Sequence, residues 1–118
     1  MLKYKNKIIV SKIVYCNNIF RQGTGLMFHA KNAVRDTAWV FSFIKPRKLS
    51  ITMFCVFYPI DIIFLDKNNK VVEMKKGLKP FSGYTPEFKI SKFIELEHGI
   101  IERYDIRCGS TIKILDDS

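Results

Sequence analysis

The sequence predicts a mainly β protein, a β-rich α+β single domain whose compact, barrel-like antiparallel or mixed sheet carries one or two short helices. Three observations carry that expectation. Aromatic residues make up 14% of the chain, with 10 Phe beside abundant Ile and Val, the side chains that fill pleated, half-buried surfaces. The apolar runs are short and bounded by turn chemistry at residues 45–48, 66–70 and 77–86. A helical period shows only in two brief stretches, after Asn17 and after Gly99.

In chain order, residues 7–15 (KIIVSKIVY) predict one strand whose inward face is ambiguous, because Ser11 interrupts one side and Lys12 the other. Asn17 and Asn18 offer an N-cap for a short helical turn through Arg21, which Gly23 and Gly25 end. Leu26, Met27 and Phe28 should plug the core beside it, and residues 30–36 read as a polar loop. Residues 37–44 form a strand on which Trp39, Phe41 and Phe43 share one face. Such a row fills a core or, less often, presents a stacking platform for bases.

The most apolar stretch, residues 49–66 (LSITMFCVFYPIDIIFLD), reads as two core strands, 49–57 and 60–66, joined at a proline bend. The turn at 66–70 makes a hairpin with 71–76. An irregular loop follows over 77–87, pinned by Phe81, Tyr84 and Phe88. Residues 89–97 are a strand with Ile90, Ile94 and Leu96 inward and Glu95 and Glu97 outward. A helical turn over 99–106 and a last strand over 111–115 complete a single domain over residues 1–118, with 1–6 and 116–118 as loose termini.

At 118 residues the chain is long enough for one real core. The run at 49–65 approaches the length of a membrane span, but Pro59 and Asp61 within it make that costly, and no membrane partner is expected. No signal peptide is visible, and three cysteines without a CxxC pair favour a reducing, cytoplasmic setting over a disulfide framework or zinc site. The net charge of +9 admits nucleic acid or another polyanion as partner. Against it, Arg21, Arg35, Arg47, Arg103 and Arg107 are the only arginines among 20 basic residues, and base readout leans on arginine.

Catalytic constellations are scarce. His29 and His98 lack ligand-spaced partners, and the GTG at residues 23–25 lacks the further glycine and lysine of a phosphate loop. No metal and no cofactor is expected. Asp61 stands out as a carboxylate in apolar surroundings, which must find a partner, stay protonated or reach solvent. It could serve as a general base or ligand anchor, or accept backbone N–H groups and fix the bend at Pro59; Arg21 is its expected ion-pair partner. With Trp39 and Met53 these two residues make up the binding candidates.

The order RxGxGLMF at residues 21–28, WVF at 39–41, MFCVFYPIDIIFLD at 53–66, IELEHG at 94–99 and IRCG at 106–109 resembles the uncharacterised family called domain of unknown function 192. The resemblance spans residues 15–114. It implies a compact, mainly β, barrel-like domain with short helical elements, and it brings no activity with it. Where the family commonly has Lys-Asn-Thr after the methionine, this chain has Phe54, Cys55 and Val56, and Ser110 stands where an aspartate would follow Gly109. The resemblance implies that scaffold is kept and polar chemistry lost. The expected function is therefore that of a non-catalytic binding or accessory module for a protein or small ligand. Polyanion binding through a basic surface is the alternative, and catalysis by Asp61 with Arg21 or His29 in a cleft a third.

Overall fold

The computed structural model describes residues 1–16 and 29–115. Their centre is a five-stranded sheet in the order β3-β4-β9-β6-β7, built from β3 (Lys12–Cys16), β4 (Thr37–Arg47), β6 (Ile60–Leu65), β7 (Val71–Leu78) and β9 (Ile90–Glu97). Only the β3–β4 pairing is parallel. Both faces of this sheet are covered, which is why all six residues of β6 are buried. A strand covered on both sides reads as a continuous apolar run instead of an alternation.

One face packs on a three-stranded sheet of β10 (Lys113–Ile114), β1 (Leu2–Tyr4) and β2 (Lys7–Val10), together with helix α1 (Ile100–Arg103). This core joins Val40, Ile63, Ile94 and Leu96 to Leu2, Tyr4, Val10, Ile101 and Ile112. The other face packs on the two-stranded sheet of β5 (Ile51–Thr52) and β8 (Gly83–Tyr84), the segment between β5 and β6, and the 3-10 helix η1 (Lys31–Val34). Its centre is an aromatic row across three strands. Phe41 and Phe93 stack at 4.4 Å, Phe64 lies 6.3 Å from Phe93, and Tyr84 closes the row 5.7 Å from Phe64.

The mainly β class, the hairpin at residues 66–70 and the strand over Ile90–Glu97 all stand. Trp39, Phe41 and Phe43 pack into the second core, so they form no exposed platform. Several expectations are corrected. Among the described residues the sheets do not close into a barrel, since β3 and β7 are edges of an open sheet. The strand expected over residues 7–15 is two strands in different sheets. The chain turns at Ser11, where Asp36 accepts the Ser11 N–H on Oδ1 at 2.9 Å and the Lys12 N–H on its carbonyl at 3.1 Å. This switch explains the ambiguous face: Ile9 and Val10 are both buried because the strand ends there.

Residues 1–6 are not loose, because Leu2–Tyr4 form β1 with Leu2 and Tyr4 in the core. The basic segment at 45–48 does not end β4, which runs through Arg47 with an irregularity after Ser42. The strand expected over 49–57 lasts only for Ile51–Thr52; a turn then brings Cys55 to φ +55°. The short helical turn expected after Asn17, with Arg21 and residues 26–28, lies outside the described residues.

Candidate functional site

Asp61 lies near the start of β6, its side chain 1% exposed on the first core face, and its carboxylate is fully engaged. Oδ1 accepts the Gly77 N–H at 2.8 Å and faces His98 Nδ1 at 2.9 Å. Oδ2 accepts the N–H groups of Gly99 and Ile101, each at 3.0 Å. Three of these four partners are backbone, so the carboxylate ties β6 to the end of β7 and to the turn that opens α1. Backbone donors and an opening helical turn are what a buried carboxylate needs in place of water. The glycines suit the arrangement. Gly77 has φ +58°, and a Cβ there would meet His98 Cε1 at 2.8 Å; Gly99 has φ +103°.

The structure thus pairs Asp61 with His98, a residue for which the sequence offered no partner. The spacing that could have pointed to it is the helical period beginning at Gly99, since a helix start needs an acceptor for its first N–H groups. Arg21, the expected partner, lies outside the described residues. His29 is on the other side of the sheet, its ring 4.9 Å from that of Trp39. Trp39 donates its indole N–H to the Ala33 carbonyl at 2.8 Å and is 9% exposed. Met53 is buried; its amide donates to the Ser82 carbonyl at 2.8 Å. Trp39 and Met53 thus belong to the second core, and Asp61 on the other face of the sheet does not converge with them.

Sequence periodicity missed the second core's polar feature. Glu95, expected to face outward, is 6% exposed between Trp39 on β4 and Ile62 on β6. Burial pushes its carboxyl up to about 8, and its Oε2 has no hydrogen-bond partner. The Tyr58 hydroxyl on the same side is also without a partner, and burial together with Glu95 pushes it up to about 12. No sequence signal marks Glu95, because alternation puts it on one face with Glu97 and cannot say whether that face is covered.

The solvent side of the small sheet is basic. Lys3 and Lys113 stand directly opposite each other on β1 and β10, while their neighbours Leu2, Tyr4 and Ile112 point into the core. They line a groove of about 500 Å³ with Lys5, Asn6, Asn69 and Thr111, and among the described residues none that lines it is acidic. Like charges directly opposite on paired strands repel. No group of three or more His, Cys, Asp or Glu suited to a metal occurs among the described residues, and no disulfide joins Cys16, Cys55 and Cys108.

An open, mostly antiparallel sheet buried on both sides, with a clamped helical turn at one end and a basic face over one core, defines the class: a small β-rich α+β domain. The chain belongs to the family of domain of unknown function 192, described as Uncharacterized ACR, which matches residues 2–114. A UPF0127 protein of Thermococcus sibiricus is 28% identical over 114 residues, covering 93% of this chain and 70% of that one. A solved structure from Novosphingobium aromaticivorans, of unknown function, shares the fold with a TM-score of 0.78 at 19% identity, over 86% of this chain and 74% of its own. Another, from Sinorhizobium meliloti 1021 and named as a proposed transcription regulator, has a TM-score of 0.79 at 18% identity over 86% and 79%.

Proposed function

We propose that this chain is a binding module without a reaction of its own, and that it takes a phosphate-bearing polyanion such as nucleic acid in the groove beside β1 and β10. The observation that carries this is the Lys3–Lys113 pair. Two lysines in direct register, beside Lys5 and the amides of Asn6 and Asn69, form a concave surface whose like-charge repulsion a bound anion relieves. The amides and the Thr111 hydroxyl add donors that suit phosphate and sugar oxygens. Asp61 gives no support to acid–base catalysis, because both its oxygens are already occupied by donors. The name of the Sinorhizobium structure points toward nucleic acid, but at 18% identity it shares only the fold, so the proposal rests on the groove.

The test is a salt titration of binding to single-stranded RNA and DNA oligomers. Three lysine contacts give a slope of log affinity against log salt of about −2 on a single strand. Lys3→Glu/Lys113→Glu should remove most of the affinity without changing the fold. Absence of affinity at low ionic strength, or an unchanged slope in the double variant, defeats the proposal.

A further inference from the structure

We propose that a second, separate surface, formed by the tips at residues 53–58 and 79–82, docks this protein on an anionic membrane. Phe54, Phe57 and Phe81 would enter the lipid interface, with lysines against the headgroups. The three rings are 59%, 64% and 57% exposed, while Met53, Val56 and Tyr58 in the same segments are buried. The segments are anchored from below and present their largest apolar side chains outward. The Met53 carbonyl locks them together by accepting both the Val56 and the Phe81 N–H at 3.0 Å, and Phe57 meets Phe81 edge-on at 5.1 Å. Cys55 and Phe81 both hold a left-handed conformation, φ +55° and +59°, that side chains with a Cβ rarely adopt. The backbone is thus held in the shape that keeps the rings in water, where an exposed apolar cluster is itself unfavourable.

Charge selects the occupant. No acidic residue occurs between Leu49 and Ile60 or between Met74 and Pro86, while Lys48, Lys76 and Lys79 are exposed in or beside these segments. Aromatic tips with Lys79 in one of them and Lys48 and Lys76 near them in sequence complement an anionic leaflet, the rings entering the interface and each lysine adding attraction to the headgroups. Perpendicular rings make a poor platform for stacked bases, which disfavours nucleic acid here. Three side chains also fall far short of the roughly 800 Å² per partner that a stable dimer needs. The absence of a membrane partner expected from the sequence concerned spanning segments. Among the described residues no helix is long and apolar enough to cross a bilayer, and surface docking needs none.

Co-sedimentation with vesicles of phosphatidylcholine alone, and of phosphatidylcholine mixed with phosphatidylglycerol, tests this. The wild-type chain should partition onto the mixed vesicles only. Phe57→Ser/Phe81→Ser should lower that partition by about a hundredfold, roughly tenfold per ring. Both positions are exposed, so the melting temperature should hold, and a Phe57→Trp reporter should shift its emission to the blue on the mixed vesicles. Lys3→Glu/Lys113→Glu, on the other side of the molecule, should leave the partition in place, which keeps this test independent of the groove. Failure of the wild type to partition overturns the proposal, as does partition indifferent to the loss of both rings. Concentration-dependent dimerisation removed by the same ring substitutions overturns it in favour of a second copy.

Discussion

Asp61 Oδ1 and His98 Nδ1 lie 2.9 Å apart, joining residues 37 positions apart in sequence, and the Gly77 backbone passes so close that the His98 ring occupies the place of its missing side chain. One carboxylate ties the hairpin of β6 and β7 to the turn that opens α1. Its four partners explain how a charge sits 1% exposed at the edge of an apolar core.

Asp61→Asn should cost about 3 kcal/mol or more, because in either orientation the new NH₂ faces at least one backbone N–H donor. Urea denaturation reads this as a lower midpoint. His98 is half exposed and leaves three backbone bonds intact when removed, so His98→Ala should cost only about 1 kcal/mol.

Gly77→Ala should destabilise by about 2 kcal/mol, through a positive φ and a Cβ 2.8 Å from His98 Cε1. In a His98→Ala background the collision disappears and only the backbone strain persists. The penalty should then fall to about 1 kcal/mol, a coupling that a double-mutant cycle measures. Additive penalties would show that the ring and the glycine are independent.

Glu95 should make stability fall as pH rises. Its folded carboxyl holds a proton up to about 8 against an ordinary 4.5, so between those values the folded state binds more protons than the unfolded one. Below 4.5 the contribution is constant; through neutrality it is lost, reaching about 3 kcal/mol at pH 7. Unfolding curves of the wild type and Glu95→Gln should therefore diverge from pH 5 toward pH 8, with the variant favoured at the alkaline end. Parallel curves would place the carboxyl in contact with water.

Cys55→Asn should stabilise the protein by about 0.5–1 kcal/mol, since asparagine tolerates the left-handed region far better than other side chains. The backbone at Cys55 has φ +55°. A higher melting temperature with unchanged vesicle partition would separate this gain from the work of the flanking rings.

Much of this was legible without coordinates. The turn at residues 66–70 announces its hairpin because Asp66 accepts the Asn68 and Lys70 N–H groups and Asn69 takes φ +63°, chemistry written into those side chains. Trp39, Phe41 and Phe43 mark one face because a strand alternates, and Asp61 announces itself because a lone carboxylate among apolar residues needs donors. These are local facts, and local sequence carries them.

The remaining features depend on neighbours distant in sequence. The break at Ser11 exists because Asp36 reaches it from 25 residues away. Glu95 is buried and Glu97 only partly so because a second layer covers the middle of the sheet, and alternation cannot say which faces are covered. The segment after Thr52 leaves the strand because Ser82 and Phe81 bond to the Met53 backbone, turning Phe54 and Phe57 outward. The sequence by itself determined that there would be β-strands, an aromatic core and one buried acid in need of partners. The packing of layers decided which strands share a sheet, which carboxylates lose their water, and which lysines and rings face it.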